Sequence, residues 1–118
     1  MAQLQARSLD AAEDTQTFDK GKAEIVTVAG ATVRRSTFQP GWRWSESVKK
    51  LAGTDSCRIH HLGYAMSGHL RVKTDEGSEQ EITAGDAYNI PPGHDGWVVG
   101  DEAFICVEFP SAADTAKT

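Results

Sequence analysis

Short runs of β-branched and aromatic residues alternate with turn-forming residues along most of the chain. Two such runs, at residues 25–28 and 32–38, are separated by a turn at Gly30. Later runs cover residues 57–66, 69–73, 81–83, 87–90, 97–99 and 104–109. This spacing is typical of antiparallel sheets and predicts about eight to ten short strands. The periodicity leaves a sandwich and a barrel equally open.

Helix formation is disfavoured over most of the chain. The sequence contains 11 glycines, and they interrupt every amphipathic helix pattern outside residues 1–16. Each glycine in a helix interior costs about 1 kcal/mol relative to alanine, so such patterns are weak. The predicted fold class is therefore all-β.

The chain of 118 residues has room for one domain. Residues 1–20 and 111–118 contain few large apolar side chains, so we predict that both are flexible tails. The domain itself is predicted to span residues 21–110.

Charge and cysteine content narrow the classes of partner and compartment. The formal net charge is -5, and the basic residues are scattered, whereas nucleic-acid binding needs clustered Lys and Arg. No apolar run reaches the roughly 20 residues that span a bilayer, and no apolar signal-peptide stretch is present. We therefore expect a cytoplasmic protein without nucleic-acid or membrane partners, in which Cys57 and Cys106 are reduced thiols.

Two segments resemble the conserved motifs of cupins. The segment from Gly85 to Gly93 reads GDAYNIPPG and resembles the second cupin motif, in which Gly, Pro and Gly recur at fixed spacing. Residues 63–72 read GYAMSGHLRV and resemble the strand, glycine turn and return strand that close the first motif. The resemblance covers residues 36–109 and is to small bacterial cupins of an uncharacterised subgroup. It implies a cupin-type double-stranded β-helix, a jelly-roll barrel, with a small-molecule pocket inside.

The resemblance also indicates candidate metal ligands, although the residues that usually bind the metal in cupins are absent. Counting back from Gly68, the glutamate position of the first motif falls on His61, and its two histidine positions fall on Cys57 and Asp55. The histidine position of the second motif holds no histidine, but His94 lies two residues before it. The resemblance thus implies a substitute set for a divalent transition metal, with zinc, iron, nickel, copper and manganese all left open.

Strand parity supports this grouping, because Asp55, Cys57 and His61 would point to one face of a regular strand. His60 has the opposite parity and His69 follows a turn, so both are expected to face outward.

Each candidate ligand has an ordinary alternative role. Cys57 could be a small core residue, His61 a strand-face residue and His94 a turn residue.

Aromatic residues are the candidates for ligand contacts in the pocket. Trp97 follows the Pro91–Gly96 loop and is expected to line the mouth of the pocket, with Trp44 and Tyr64 as further candidates for substrate binding. The alternative is that these side chains, like Trp42, fill core volume, since aromatic residues bury large areas.

Three functions remain open at this point. The first is a metal-dependent cupin enzyme that uses the non-standard ligand set on a small molecule. The second is a metal-free module that binds or senses a small molecule without catalysis. The third, on the short segment of residues 91–97, is an enzyme similar to the ureidoglycolate or ethanolamine-utilisation cupins. A homodimer is also expected, with residues 25–38 pairing across subunits, because open sheets expose edge strands.

Overall fold

The computed structural model describes residues 4–110, which form nine strands in two antiparallel sheets. The larger sheet has six strands in the order β1-β2-β3-β9-β4-β7, and the smaller has three in the order β6-β5-β8. The strands are β1 Asp14–Phe18, β2 Gly21–Val28, β3 Ala31–Phe38, β4 His61–Ser67, β5 His69–Thr74, β6 Glu79–Thr83, β7 Ala87–Ile90, β8 His94–Val98 and β9 Phe104–Glu108. The prediction of an all-β jelly-roll barrel is confirmed, because both sheets wall one interior.

The interior is built by alternation along the strands. In β9, Phe104, Cys106 and Glu108 are buried, whereas the two residues between them are only half-buried. The neighbouring strand β3 places Ser36 opposite Cys106 and Phe38 opposite Phe104. Because side chains alternate between the faces of a strand, this register aligns two inward-pointing rows side by side.

Two helical turns interrupt the all-β pattern between β3 and β4. They are α1, Trp44–Ser47, and α2, Lys49–Ala52, and the latter ends at Gly53 with a φ of 72°. Trp44 is buried in the core together with Trp42. The sequence pattern did not predict these turns, because elements of four residues are too short to show helical periodicity.

The predicted tail of residues 1–20 is wrong for part of its length. Asp14–Phe18 form β1, which pairs with β2 along its whole length, and Phe18 packs on Phe38 with ring centroids 5.9 Å apart. A polar segment can form an edge strand because the backbone hydrogen bonds of β2 supply its pairing. Residues 1–3 and the predicted tail at residues 111–118 lie outside the described residues.

The expected dimer contact through residues 25–38 stays a prediction, because a single chain does not test it. These residues lie mainly in β2 and β3; β1 pairs with β2 only as far as Ile25 and β9 pairs with β3 only from Arg34, so within the described part of the chain residues 26–33 pair only with each other. The edge strands of the larger sheet are β1 and β7.

Within residues 4–110 the longest helix has four residues, far fewer than a membrane-spanning helix needs.

Candidate metal centre and cavity

A cavity of about 590 Å³ lies between the two sheets. Its wall is mainly apolar and includes Phe38, Trp42, Trp44, Leu70, Val72 and Phe104. Polar and charged side chains line it as well, among them Arg34, Cys57, His61, His94 and Glu108. A cavity of this size, apolar with a few convergent polar groups, is typical of a small-molecule site.

Cys57 and His94 are brought together by the backbone. Cys57 lies in the loop before β4, and its N–H donates to the carbonyl of His94 at 2.7 Å. The carbonyl of Cys57 accepts from Gly93 at 2.7 Å, so the loop is fastened to the start of β8. His61 is the first residue of β4 and points towards the same place. One ligand atom from each of the three residues lies within 4.8 Å of the others.

Both histidines of this cluster are held through Nδ1. His61 Nδ1 lies 2.8 Å from Oε1 of Glu108, and His94 Nδ1 lies 2.8 Å from the carbonyl oxygen of Pro91. Both partners are acceptors, so each Nδ1 carries its proton and each Nε2 is directed elsewhere. Nε2 of His61 lies 3.6 Å from Sγ of Cys57. Metal-binding histidines are held in this way in most proteins.

Glu108 connects the cluster to a buried polar network. Besides His61, its carboxylate accepts a hydrogen bond from the Tyr88 hydroxyl at 2.6 Å and one from Nη2 of Arg34 at 3.3 Å. Glu108 and Arg34 are both buried. Gly63 makes this possible, because a Cβ there would lie 2.8 Å from both the Tyr88 hydroxyl and Cγ of Glu108.

The sequence pattern did not predict three further residues of the site, Glu108, Tyr88 and Arg34. The available signal was a charged residue at an inward position of a predicted strand: Glu108 has the parity of Phe104, and Arg34 that of Phe38. Charged residues are rarely buried without a partner, so the two together indicate an interior ion pair.

These contacts shift the protonation of the cluster. Burial raises the pKa of the Cys57 thiol, but contacts with His61 and His94 outweigh burial and lower its pKa to about 6. Burial lowers the pKa of His61, but the charge of Glu108 and the contact with Cys57 raise it to about 10. Burial raises the pKa of Glu108, yet His61, Tyr88 and Arg34 bring it down to about 2. Without a metal, Cys57 and His61 therefore form a thiolate–imidazolium pair at neutral pH.

The other predicted ligands and contacts are placed differently. Asp55 is exposed and lies in a bend before Cys57, so the strand parity that grouped it with the cluster does not apply. Of the predicted substrate contacts, only Trp44 is among the cavity-lining residues. Trp97 points to the other face of β8 from His94, and its ring lies 4.4 Å from the guanidinium carbon of Arg43. Tyr64 is 48% exposed on the outer face of β4.

The two remaining histidines lie away from the cluster. His60 is hydrogen-bonded to the side chain of Asn89. His69 is exposed, and its Nδ1 lies 3.3 Å from a carboxylate oxygen of Glu81. Neither residue is among those that line the cavity.

The three clustered residues fit a transition metal. One thiolate and two imidazoles are ligands that zinc, copper and iron accept. Ligands bonded at about 2.0–2.3 Å in a tetrahedron lie roughly 3.3–3.8 Å apart. The present separations, all within 4.8 Å, require a contraction of about 1.5 Å at most.

Comparison with solved structures identifies the fold. The chain is similar to a cupin-like protein from Thermotoga maritima, with a TM-score of 0.54 and 16% identity over 77% of this chain and 68% of that one. It is also similar to KdgF from Halomonas sp., with a TM-score of 0.56 and 20% identity over 87% and 93% of the two chains. A protein of unknown function from Acinetobacter sp. matches with a TM-score of 0.60 and 13% identity, over 84% and 90% of the two chains.

No protein-family model matches the sequence, and no curated protein matches it. These three solved structures are below 25% identity, so they bear on the fold rather than on the activity. The motif resemblance at residues 63–72 and 85–93, the two-sheet barrel and these structural neighbours agree. The chain is a small protein with the cupin fold.

Proposed function

We propose that Cys57, His61 and His94 bind one divalent transition metal, and that a small molecule in the adjoining cavity is the metal's target. The observation that carries this proposal is the orientation of the two histidines. Their Nδ1 atoms are held by Glu108 and by the carbonyl of Pro91, which leaves Nε2 as the nitrogen of each ring that can bind a metal. That arrangement supports metal binding, because a second acceptor fixes the tautomer that a metal ligand needs.

Zinc is the metal that this ligand set favours most. A thiolate with two imidazoles is a soft, nitrogen- and sulfur-rich set, whereas manganese prefers carboxylates and water. When bound, the metal supplies a Lewis acid that polarises an oxygen atom of the small molecule. Asp55 is not part of the proposed set, since it is exposed.

The protein's own residues hold the site in place. Glu108 accepts a hydrogen bond from the Nδ1–H of His61, and the Tyr88 hydroxyl donates to the second oxygen of Glu108. The apolar wall of the cavity excludes water around the small molecule, which strengthens polar interactions inside. These roles support an enzyme that acts on a small molecule.

A metal-free binding or sensing module is the second candidate. It is favoured by the pair of Cys57 and His61, which balances its own charge and is backed by Glu108 without any ion. In that case the cavity binds its small molecule with unchanged affinity after treatment with a chelator.

The metal content of suitable variants separates these candidates. We expect protein made without a His tag to contain about one metal ion per chain, measured by plasma mass spectrometry. His61→Ala and His94→Ala should each lose that metal, because each removes a ligand. The matched controls His60→Ala and His69→Ala should keep it. Full metal content in the His61 and His94 variants would contradict the proposed centre.

The quaternary state is part of the proposal. Four large apolar side chains are about half exposed along β4 and just after β9: Leu62, Tyr64, Met66 and Phe109. We propose that a second copy of the chain covers them in a two-fold homodimer, since such a stripe can pack on itself around the axis. Two free cysteines, both buried, also fit the reducing cytoplasm that we propose as the location.

A further inference from the structure

Arg34 has hydrogen-bonding capacity that the described residues do not use. It is 8% exposed and lines the cavity, and the contact of its Nη2 with Glu108 is its one ion pair between residues 4 and 110. A guanidinium has five N–H donors. Its other donors are not sealed in the protein interior, because the indole N–H of Trp42 is the one fully buried, unpartnered side-chain donor in that range. Arg34 therefore offers free donors to the cavity.

The cavity changes from charged to aromatic along two neighbouring strands. Arg34 lies opposite Glu108, and four residues further along β3 Phe38 lies opposite Phe104. Four residues of a strand span about 13 Å. Phe38 also packs against Trp42 with ring centroids 4.1 Å apart, so the far end is an aromatic wall. A ligand that fills both ends has one polar group and one apolar body.

With a divalent metal ion bound, the cavity interior would carry one net positive charge. Cys57 binds a metal as the thiolate, and His61 and His94 bind it as neutral rings. A divalent ion with one thiolate carries one positive charge, and Arg34 and Glu108 cancel each other. The remaining charged residue of the lining, Arg58, is exposed and pairs with Asp75 at 3.5 Å. A monoanion would balance the interior.

We propose that the cavity binds a small monocarboxylic acid with an apolar body. Arg34 holds the carboxylate beside the proposed metal centre, and the body packs against Phe38, Phe104 and Trp42. The charge balance rests on the metal centre proposed above, whereas the free donors of Arg34 and the aromatic wall do not. Arg34 is suited to this role because its planar fork can bind a carboxylate through two parallel hydrogen bonds.

Calorimetric titration with two compounds of the same shape tests the proposal. The probes are 3-phenylpropanoate and its neutral analogue 3-phenylpropanamide, each added to metal-loaded protein. We expect the acid to bind at least about 10-fold more tightly than the amide, because charged hydrogen bonds are the stronger ones. Malonate, which has no apolar body, should bind more weakly than 3-phenylpropanoate.

Variants of two adjacent arginines assign the effect to one side chain. Arg34→Gln should weaken binding of the acid about 10- to 100-fold and leave the amide unchanged. Arg34→Lys, which keeps the charge and loses the fork, should lie between Arg34→Gln and the unaltered protein. The control is Arg35→Gln, since Arg35 points outward to Glu24 and Asp10. It should bind the acid as the unaltered protein does.

Three results would overturn the proposal: equal affinity for acid and amide, equal effects of the Arg34 and Arg35 variants, or no binding of either probe at millimolar concentration. The comparison of acid and amide uses the unaltered protein, so it decides even if Arg34→Gln does not fold. Metal analysis of the same preparation separates this proposal from the metal centre. Metal without a preference for the acid overturns the carboxylate site alone, and protein that takes up no metal overturns the centre.

Discussion

Glu108 is the residue on which the geometry of the proposed centre depends. Its carboxylate orients the His61 ring and receives the Tyr88 hydroxyl, and it is buried with Arg34. A buried carboxylate without such partners would carry a large desolvation cost. In known metal sites, a carboxylate often accepts the second ring N–H of a histidine ligand in the same way and so orients the ring.

Replacing Glu108 by glutamine should weaken metal binding without removing a ligand. The Glu108→Gln variant keeps the size of the side chain but loses the charge that holds the His61 Nδ1 proton. We expect metal affinity to fall about 10- to 100-fold, measured by competition with a chelating dye. Glu81→Gln is the control, because Glu81 pairs with the exposed His69. Equal affinities in the two variants would argue against a role for Glu108.

The thiol of Cys57 should titrate near neutrality in metal-free protein. The contacts of His61 and His94 lower its pKa to about 6, so the thiolate forms as the pH rises through 6. Burial, together with the charge of Glu108, raises the pKa of Cys106 well above its usual range, so that residue stays a thiol over the same range. Absorbance of the thiolate at acidic to neutral pH therefore reports Cys57 alone.

The same titration should shift in the His61→Ala variant. Removing the cationic partner takes away a contact that lowers the pKa, so thiolate formation should move to higher pH. A transition that stays near its unaltered position in this variant would mean that His61 does not stabilise the thiolate.

At the scale of elements, the close packing of β4, β7 and β9 holds the network together. Gly63 lies opposite both Tyr88 and Glu108 in the sheet. A Cβ at this position would lie 2.6 Å from the carbonyl oxygen of Val107, which is backbone and cannot turn away. The strands can keep their spacing only while this position has no side chain.

Gly63→Ala should therefore destabilise the protein by about 1–3 kcal/mol, as forced overpacking of an interior does. Gly96→Ala is the matched control, because a Cβ there would lie 3.5 Å from its nearest neighbour, an ordinary contact. Urea unfolding of both variants measures the difference. Equal free energies of unfolding for the two variants would show that the strands can move apart at Gly63 without loss of stability.

The sequence predicted the positions of the strands better than their pairing and packing. The alternating runs located most strands, and Cys57, His61 and His94 do converge. Strand parity does not explain why they converge, because β4 begins only at His61 and Cys57 is placed by its bridge to His94. Parity also misplaced Asp55, which is not in a strand.

Long-range partners explain what the sequence could not predict. Glu108 and Arg34 are 74 residues apart, and their pairing follows from β3 lying beside β9. A single sequence gives no register for strands so far apart. Trp97 was expected at the pocket, but the pleat of β8 turns it outward while His94 points inward.

At the scale of the whole molecule, the exposed apolar stripe predicts the assembly. Tyr64 lies at the middle of the stripe with Leu62 and Met66 on the outer face of β4. Sedimentation at micromolar concentration should give a dimer, and Tyr64→Glu should give a monomer, because a buried charge without a partner is costly. The control Gln80→Glu, on an exposed position of the smaller sheet, should stay dimeric. A monomeric unaltered protein would contradict the proposed dimer.

The proposed metal centre is tested most directly by X-ray absorption at the edge of zinc in zinc-loaded protein. A zinc ion bound by Cys57, His61 and His94 should show one sulfur at about 2.3 Å and nitrogen neighbours at about 2.0–2.1 Å, with the scattering pattern of two imidazole rings. The sulfur contribution should disappear in Cys57→Ser and remain in Cys106→Ser, since Cys106 is not part of the cluster. A spectrum with only oxygen and nitrogen neighbours, unchanged by Cys57→Ser, would contradict the centre at Cys57, His61 and His94.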